Sequence, residues 1–431
     1  MLGSITLILA VLLQAGYTAY CLITKSRQPK VKRVMRFVAL GLVLLLLCLG
    51  VYEGSRWTLL VVLLSILAIS SLIGLFARPK EKPLRKGRAI LSGIGGAALL
   101  SIAILPAIVF PQYRHPPVTG EHEVATAQYT YVDETRLETY ADTGENREVN
   151  VAFWYPKDAQ AKFPLVVFSH GFCGVKNSNE SAFMELASHG YVVCSIDHPY
   201  HSFYTVNAGG KVTIVDAGYM GEYAALGDNK AENLKLFQKW MGIRVSDINF
   251  VIDTVLNNHG DVYELVDRSK IGVFGHSLGG AAAMGVPRVR QDIGAVINLD
   301  APMMCELTGV ENDWYTLNPE PYPAPLLHIY SQYLYDNGIV PNDEEYFENR
   351  LVSATAPKSY EVVFRGAQHM SLTDLALVSP VLANVLDSGR KAEIDKYYCI
   401  ETLNRIILEF FDCYLKDTGS FASAGMYGGV S

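Results

Sequence analysis

The segment with the sharpest chemical signature in this 431-residue chain is Gly275-His276-Ser277-Leu278-Gly279. It follows the apolar run Ile271–Phe274 and precedes the small-residue stretch Gly280–Val286. A G-x-S-x-G between a strand and a helix forces the serine into a strained turn with its hydroxyl pointing out, and the glycines two positions away leave room for the neighbouring elements. The bare pattern arises by chance in many proteins, so the flanking strand and helix are what give it weight. Ser277 is the candidate nucleophile. A serine hydroxyl attacks only when a base takes its proton, and folds with this turn place the partners downstream in the order serine, acid, histidine. His369 lies in Arg365-Gly-Ala-Gln-His-Met-Ser371, directly after the β-rich run Tyr360–Phe364; the other downstream histidine, His328, sits inside an apolar run. The acid must accept the second imidazole N–H and stabilise the imidazolium. Asp300, ending Ala295–Leu299, and Asp336, in Tyr-Leu-Tyr-Asp-Asn, both satisfy the order. An oxyanion hole needs two backbone N–H groups. Leu278, after the nucleophile, supplies one, and Phe172 in His170-Gly-Phe-Cys-Gly174 is expected to supply the other.

These groups need a scaffold, and the chain from about residue 124 provides alternating strand-like and helix-like segments. Val149–Trp154, Pro164–Ser169, Tyr191–Ile196, Lys270–Phe274, Ala295–Leu299, Pro325–Tyr330 and Tyr360–Phe364 read as strands, the second uniformly apolar as a central parallel strand is. Ser178–His189, Asn233–Leu256 and Lys396–Tyr414 have helical spacing. The alternation predicts an α/β domain, a mostly parallel sheet flanked by helices. Tyr200 to about Asp228 has no clear period and is expected to be an insertion or lid over the site. Asp247 and Asp253 read as a solvated or salt-bridged face of the long helix. Asp197, His198 and His201 have ligand-type side chains, but Pro199 between the histidines argues against a helical metal pair. No metal and no cofactor are expected.

Composition sets the surroundings. Half of the residues are hydrophobic and the mean hydropathy is +0.18, above an average soluble enzyme. Residues 1–114 hold 14 Lys/Arg and 2 acids, whereas residues 115–431 hold 22 bases and 41 acids. An acidic main domain without a basic stripe argues against a nucleic-acid partner. The seven cysteines are scattered with no CxxC, which signals neither redox nor zinc chemistry.

The basic part is also the apolar part. Uncharged runs at Leu2–Thr24, Phe37–Tyr52, Trp57–Phe76 and Ala89–Phe110 predict about four transmembrane helices, the second being short. The first run has no basic residues before it and no small-x-small cleavage site, unlike a signal peptide. Basic residues cluster between the first and second runs (Lys25 to Arg36) and between the third and fourth (Arg78 to Arg88). Positive-inside counting puts both clusters in the cytoplasm, making a multi-pass cell-membrane protein whose catalytic domain faces outward. If only three runs span, that side flips. Residues 1–110 are then the membrane region, 111–123 with three prolines the linker, and 124–431 the catalytic domain.

Across roughly residues 125–415 the chain resembles the α/β-hydrolases, and within them the platelet-activating-factor acetylhydrolase group. The likeness rests on Val166–Gly171, Ala187–Val193, Gly275–Gly280, Leu299–Ala301 and Pro325–Tyr333. The resemblance implies the α/β-hydrolase fold and assigns the acid to Asp300. It further implies hydrolysis of carboxylic esters with a short or modified acyl chain, phospholipids included, through an acyl-enzyme. The membrane runs and the longer stretch between Asp300 and His369 depart from the group's pattern, and cap loops of that kind set substrate choice. Two rivals remain on sequence: an acyltransferase using the same acyl-enzyme, and a catalytically idle hydrolase domain used for binding.

Overall fold

A computed structural model describes residues 2–76, 84–157, 159–339 and 346–428, which fold as two compact units: Met1–Arg114 with Leu377–Leu382, and His115–Ala376 with Ala383–Ser431. The first unit contains helices α1 (Leu2–Ile23), α2 (Pro29–Cys48), α3 (Thr58–Phe76) and α4 (Lys86–Val109). Among the described residues three helices, Leu2–Ile23, Ser55–Phe76 and Lys86–Val109, are long and apolar enough to cross a membrane. The expected four are therefore three plus α2, which differs for a physical reason. Lys30, Lys32, Arg33 and Arg36 occupy its first two turns. The uncharged remainder, 37–48, rises only about 18 Å against a hydrocarbon core of about 30 Å. Two of those bases are bonded to α3: Arg33 Nη2 donates to the Gly74 carbonyl at 2.5 Å, and Arg36 Nη1 to the Ser70 and Ser71 hydroxyls at 3.1 Å each. Of the second basic cluster, Arg78, Lys80 and Lys82 lie outside the described residues.

The second unit is built on a nine-stranded sheet. Its strands are β1 (Val124–Leu137), β2 (Asn146–Pro156), β3 (Phe163–Ser169), β4 (Val192–Asp197), β5 (Val266–His276), β6 (Ile293–Leu299), β7 (Leu326–Ser331), β8 (Ser359–Phe364) and β9 (Gly425–Tyr427). They lie in the order β1-β2-β4-β3-β5-β6-β7-β8-β9; β2 is antiparallel to both neighbours, and β4 through β9 run parallel. Every residue of β3, β4 and β7 is buried, which fits strands covered on both faces. The predicted strands are all present, several extended at one end. The edge strands β1 and β9 were not expected.

Among the helices beside the sheet are α5 (Glu180–Ser188), α6 (Lys230–Asn257), α7 (Leu278–Gly285) and α8 (Lys396–Leu415). Strand alternation decides which side each covers. A Cβ added at Gly272 would press on Phe411 of α8, and Phe274 meets the same ring edge-on at 5.9 Å. Val273, one residue over, joins the cluster that holds Ile248 and Val251 of α6 and Ala281 of α7. Asn229 caps α6 and Asp395 caps α8, each side chain accepting two backbone N–H bonds. Part of the expected linker is docked rather than loose, since Thr119 N donates to Glu185 of α5 at 2.8 Å and His122 N to the Ser188 carbonyl at 3.0 Å. The aperiodic stretch after Tyr200 forms a hairpin, Tyr204–Val206 with Val212–Ile214, and a short helix, Ala217–Ala224.

Asp247, expected on a solvated or salt-bridged helix face, is fully buried. Arg147 grips it bidentately at 2.7 Å twice, Arg136 lies at 2.9 Å, and His198 Nδ1 donates at 2.9 Å. Burial alone would raise this carboxyl, but Arg147 and His198 outweigh it and hold it well below the usual carboxylate range. Asp247→Ala is expected to cost about 3–5 kcal/mol, because it leaves two guanidinium groups without their shared counter-charge. Thermal unfolding of the variant beside wild type checks this; an unchanged midpoint would remove the cluster from the forces holding β2 to α6.

Candidate active site

The turn from β5 into α7 is where local sequence and packing meet. Ser277 adopts φ 55° and ψ −130°, a region that costs a non-glycine residue roughly 1–3 kcal/mol and persists only where surroundings impose it. The surroundings do impose it. Ser277 N donates to the Leu299 carbonyl at 2.9 Å, and its own carbonyl accepts from Ala281 N at 3.0 Å to start the helix. A Cβ at Gly279 would fall on the carbonyl oxygens of Ser169 and His170, and one at Gly275 on the main chain of Gly279. Both motif glycines therefore mark places where β3, β5 and α7 touch backbone to backbone.

His369 opens a 3-10 turn immediately after β8, and its Nδ1 donates to Asp300 Oδ2 at 2.8 Å. Asp300 is buried at the end of β6, with φ 58°. Its carboxylate also accepts from the backbone N–H and the hydroxyl of Ser331, each at 2.7 Å. With His369 on Oδ2, both oxygens are held. Asp336, the other acid that chain order permits, is exposed and bonds Gln332 at 3.0 Å. His276 is buried; burial and the nearby His369 push its pKa well below the usual histidine value, so its ring is neutral. Its Nε2–H donates to the His369 carbonyl at 3.0 Å, with the two rings 4.4 Å apart. The residue inside the nucleophile motif thus holds the main chain of the histidine. Asp387 accepts from Met370 N at 3.1 Å on the other side of the same turn.

The His170–Gly174 loop leaves β3 beside Ser277, where a Cβ on Gly171 would lie 3.0 Å from Ser277 Cβ. The Phe172 ring stacks on Tyr223 of the short helix at 4.0 Å, and the Phe203 N–H donates to the Gly174 carbonyl at 3.1 Å. The aperiodic insertion is thus packed against this loop. Beneath it lie the histidines first weighed as metal ligands. His198 bridges Ser169 Oγ at 2.8 Å and Asp247 at 2.9 Å, all three being buried. Burial, then Arg244, brings His198 down to about 4 against the pull of Asp247. His201 stacks on Tyr219 at 3.9 Å. Ser331 and Arg244, which donates to the carbonyls of His170 and Gly171, were not singled out from sequence. Ser331 could have been, as the polar end of an apolar strand beside the one that carries Asp300. All seven cysteines are unpaired.

A mostly parallel sheet, a serine on a strained strand-to-helix turn and a His–Asp pair after later strands define an α/β-hydrolase. The family model for platelet-activating factor acetylhydrolase, isoform II, matches residues 109–212 and 232–423. The chain belongs to that family. It is 24% identical over 273 residues to platelet-activating factor acetylhydrolase of Cavia porcellus, covering 60% of this chain and 59% of the relative. The Bos taurus protein of the same name is also 24% identical, with 59% and 57% covered. The chain thus matches less than two thirds of the length of these relatives. A ferulic acid esterase from Streptomyces cinnamoneus superposes with a TM-score of 0.54 at 22% identity, over 73% of this chain and 94% of the esterase.

Gly279→Ala is expected to cost about 1–3 kcal/mol of stability, since its methyl must displace the β3 main chain. A variant with wild-type melting would refute the close approach. A second expectation concerns acid. His198 titrates at about 4 when folded and near 6.5 when free, so the native state binds fewer protons between those values. Its contribution to stability is present above pH 6.5 and is lost as pH falls toward 4. The melting-temperature advantage of wild type over His198→Gln should therefore shrink between pH 7 and 4.5. A gap that stays constant or widens would contradict the neutral histidine.

Proposed function

We propose that this chain is a membrane-anchored serine esterase with Ser277, His369 and Asp300 as its triad. The observation that carries the reading is the pairing of a strained, motif-borne serine with a histidine bonded at 2.8 Å to a buried aspartate. Ser277 Oγ attacks the ester carbonyl carbon as its proton passes to His369 Nε2. The carbonyl oxygen takes the negative charge and accepts from the N–H groups of Phe172 and Leu278. Collapse of this intermediate breaks the carbon–oxygen bond to the alcohol, which leaves with the proton held by His369. Water then attacks the acyl-enzyme through the same base, releasing the acid and restoring Ser277. Asp300 stays ionised throughout, fixing the imidazole tautomer and stabilising the imidazolium.

The substrate proposed is a carboxylic ester with a short or modified acyl chain, phospholipids included. Family membership supports it, as do the three apolar helices that would keep the enzyme at a lipid surface. We place the domain on the outer side of the cell membrane. The two basic clusters share the cytoplasmic side if α2 also crosses, and the short uncharged part of α2 makes that the point to test. Accessibility of cysteines introduced at 120 and 27 to an impermeant maleimide in intact cells decides it. Labelling at 120 alone supports the outward domain with α2 crossing, labelling at 27 alone reverses it, and labelling at both or at neither means that α2 does not cross.

Catalysis is tested with the full-length protein on nitrophenyl esters from acetyl to palmitoyl. Wild type should turn over, be labelled by a fluorophosphonate and favour the short chains. Ser277→Ala should do neither, and Asp300→Asn should lose about 10⁴-fold in kcat. A palmitoyl optimum would make the enzyme a lipase, and faster product formation with added alcohols would make it an acyltransferase. A wild type silent toward both esters and label would leave a binding domain.

A further inference from the structure

The oxyanion donor at Phe172 is a backbone group, so its own side chain does not aim it. The other end of the same peptide does. In a trans peptide the C=O and the following N–H point in opposite directions, and whatever holds the Gly171 carbonyl therefore directs the Phe172 N–H. Three donors converge on that carbonyl: Gly174 N at 3.1 Å, His170 Nδ1 at 2.7 Å and Arg244 Nη2 at 3.3 Å. Arg244 Nη1 also donates to the His170 carbonyl at 2.5 Å. One guanidinium therefore spans two successive peptides of the loop that a Gly171 Cβ would press against Ser277.

Arg244 is an unusual residue for this place. It is fully buried on α6, and among the described residues no carboxylate pairs with it. Its remaining bond, from Nε to His201 Nδ1 at 3.3 Å, goes to a ring that burial and Arg244 itself keep neutral. An unpaired buried cation is costly. Neutral donors such as Gly174 N and His170 already satisfy the Gly171 carbonyl, so loop structure alone gives little reason to retain a charge there.

We propose that Arg244 is a positioning residue of the oxyanion hole. Its guanidinium, clamped on the carbonyls of His170 and Gly171, turns the Phe172 N–H toward the ester oxygen at Ser277 and polarises that peptide as negative charge develops. The proposal rests on the esterase reading above. The cation sits behind the peptide dipole with the oxyanion in front, so its effect grows with the charge on the oxygen and belongs to the transition state rather than to substrate binding.

The test uses the full-length protein, with active sites counted by fluorophosphonate so that misfolded molecules drop out. For Arg244→Gln and Arg244→Met, kcat per counted site on nitrophenyl acetate should fall about 10²–10³-fold, as for loss of an oxyanion donor. KM should stay within about threefold, because the interaction is made in the transition state. Affinity for a trifluoromethyl ketone, whose hemiketal carries the oxyanion, should fall by the same factor as kcat/KM. Arg244→Lys keeps the charge but not the fork and should fall between. Should the neutral variants not fold, Arg244→Lys decides alone through the parallel loss of ketone affinity and kcat/KM. Wild-type kcat per counted site, or ketone affinity that does not follow kcat/KM, overturns the assignment. A wild type that neither hydrolyses nor labels overturns the esterase reading instead, and the assignment with it.

Discussion

The structure turns on a lack of space where β5 becomes α7. Ser277 is held at positive φ because the helix must start at once, and the helix can start there because Gly279 lies against the carbonyls that end β3. Strain at one residue is thereby coupled to the register of the sheet. Ser169 pairs with Gly275, His276 with Leu299, Leu299 with Ile329 and Ser331 with Phe364. These pairs form a line across the C-terminal ends of five parallel strands; Ser331 ends one of them, and the loops leaving the others carry Phe172, Ser277, Asp300 and His369. Ligands in open α/β sheets bind at the carboxyl ends of the strands for this geometric reason. A slip of one residue in any of these pairings would turn its polar side chain to the other face.

Behind that line the chain buries an unusual amount of charge, and α6 distributes it. Arg244 and Asp247 stand three positions apart and serve opposite needs. Asp247 collects Arg147, Arg136 and His198, while Arg244 turns toward the backbone of the loop after β3. The two are linked through neutral histidines, because burial and the nearby guanidinium disfavour a proton on His170, His198 and His201 alike. Neutrality fixes their tautomers. His170 must donate from Nδ1 to the Gly171 carbonyl, so its Nε2 is the acceptor for His198 N at 3.3 Å. The network is costly in desolvation, and what it achieves is a loop with one geometry. A hydrophobic substitute could pack as well but could not hold two carbonyls in a chosen direction.

What the sequence made legible follows from how local each signal is. The strands β3, β5, β6 and β7 were readable because central parallel strands are continuous apolar runs, and the elbow because its glycines and serine are contiguous. The edge strands were not. Much of β1 is polar and half exposed, and β9 has three residues, so neither has an apolar run to announce it. Asp300 and Asp336 were equivalent on topology, since both follow a strand. The family resemblance chose Asp300, and the physical difference lies in space, where one is buried on His369 and Ser331 and the other meets solvent. The second helix is the ambiguous one for a related reason: its apolar half reads as membrane, but four bases begin it and Arg33 and Arg36 are bonded along α3. Arg244 is the extreme case. Its partners lie 73 and 74 positions away, and a single arginine on an amphipathic helix carries no local mark of burial. Only the assembled sheet brings the loop and the helix together, so a residue can be fully buried against a distant loop while its sequence context is that of a surface.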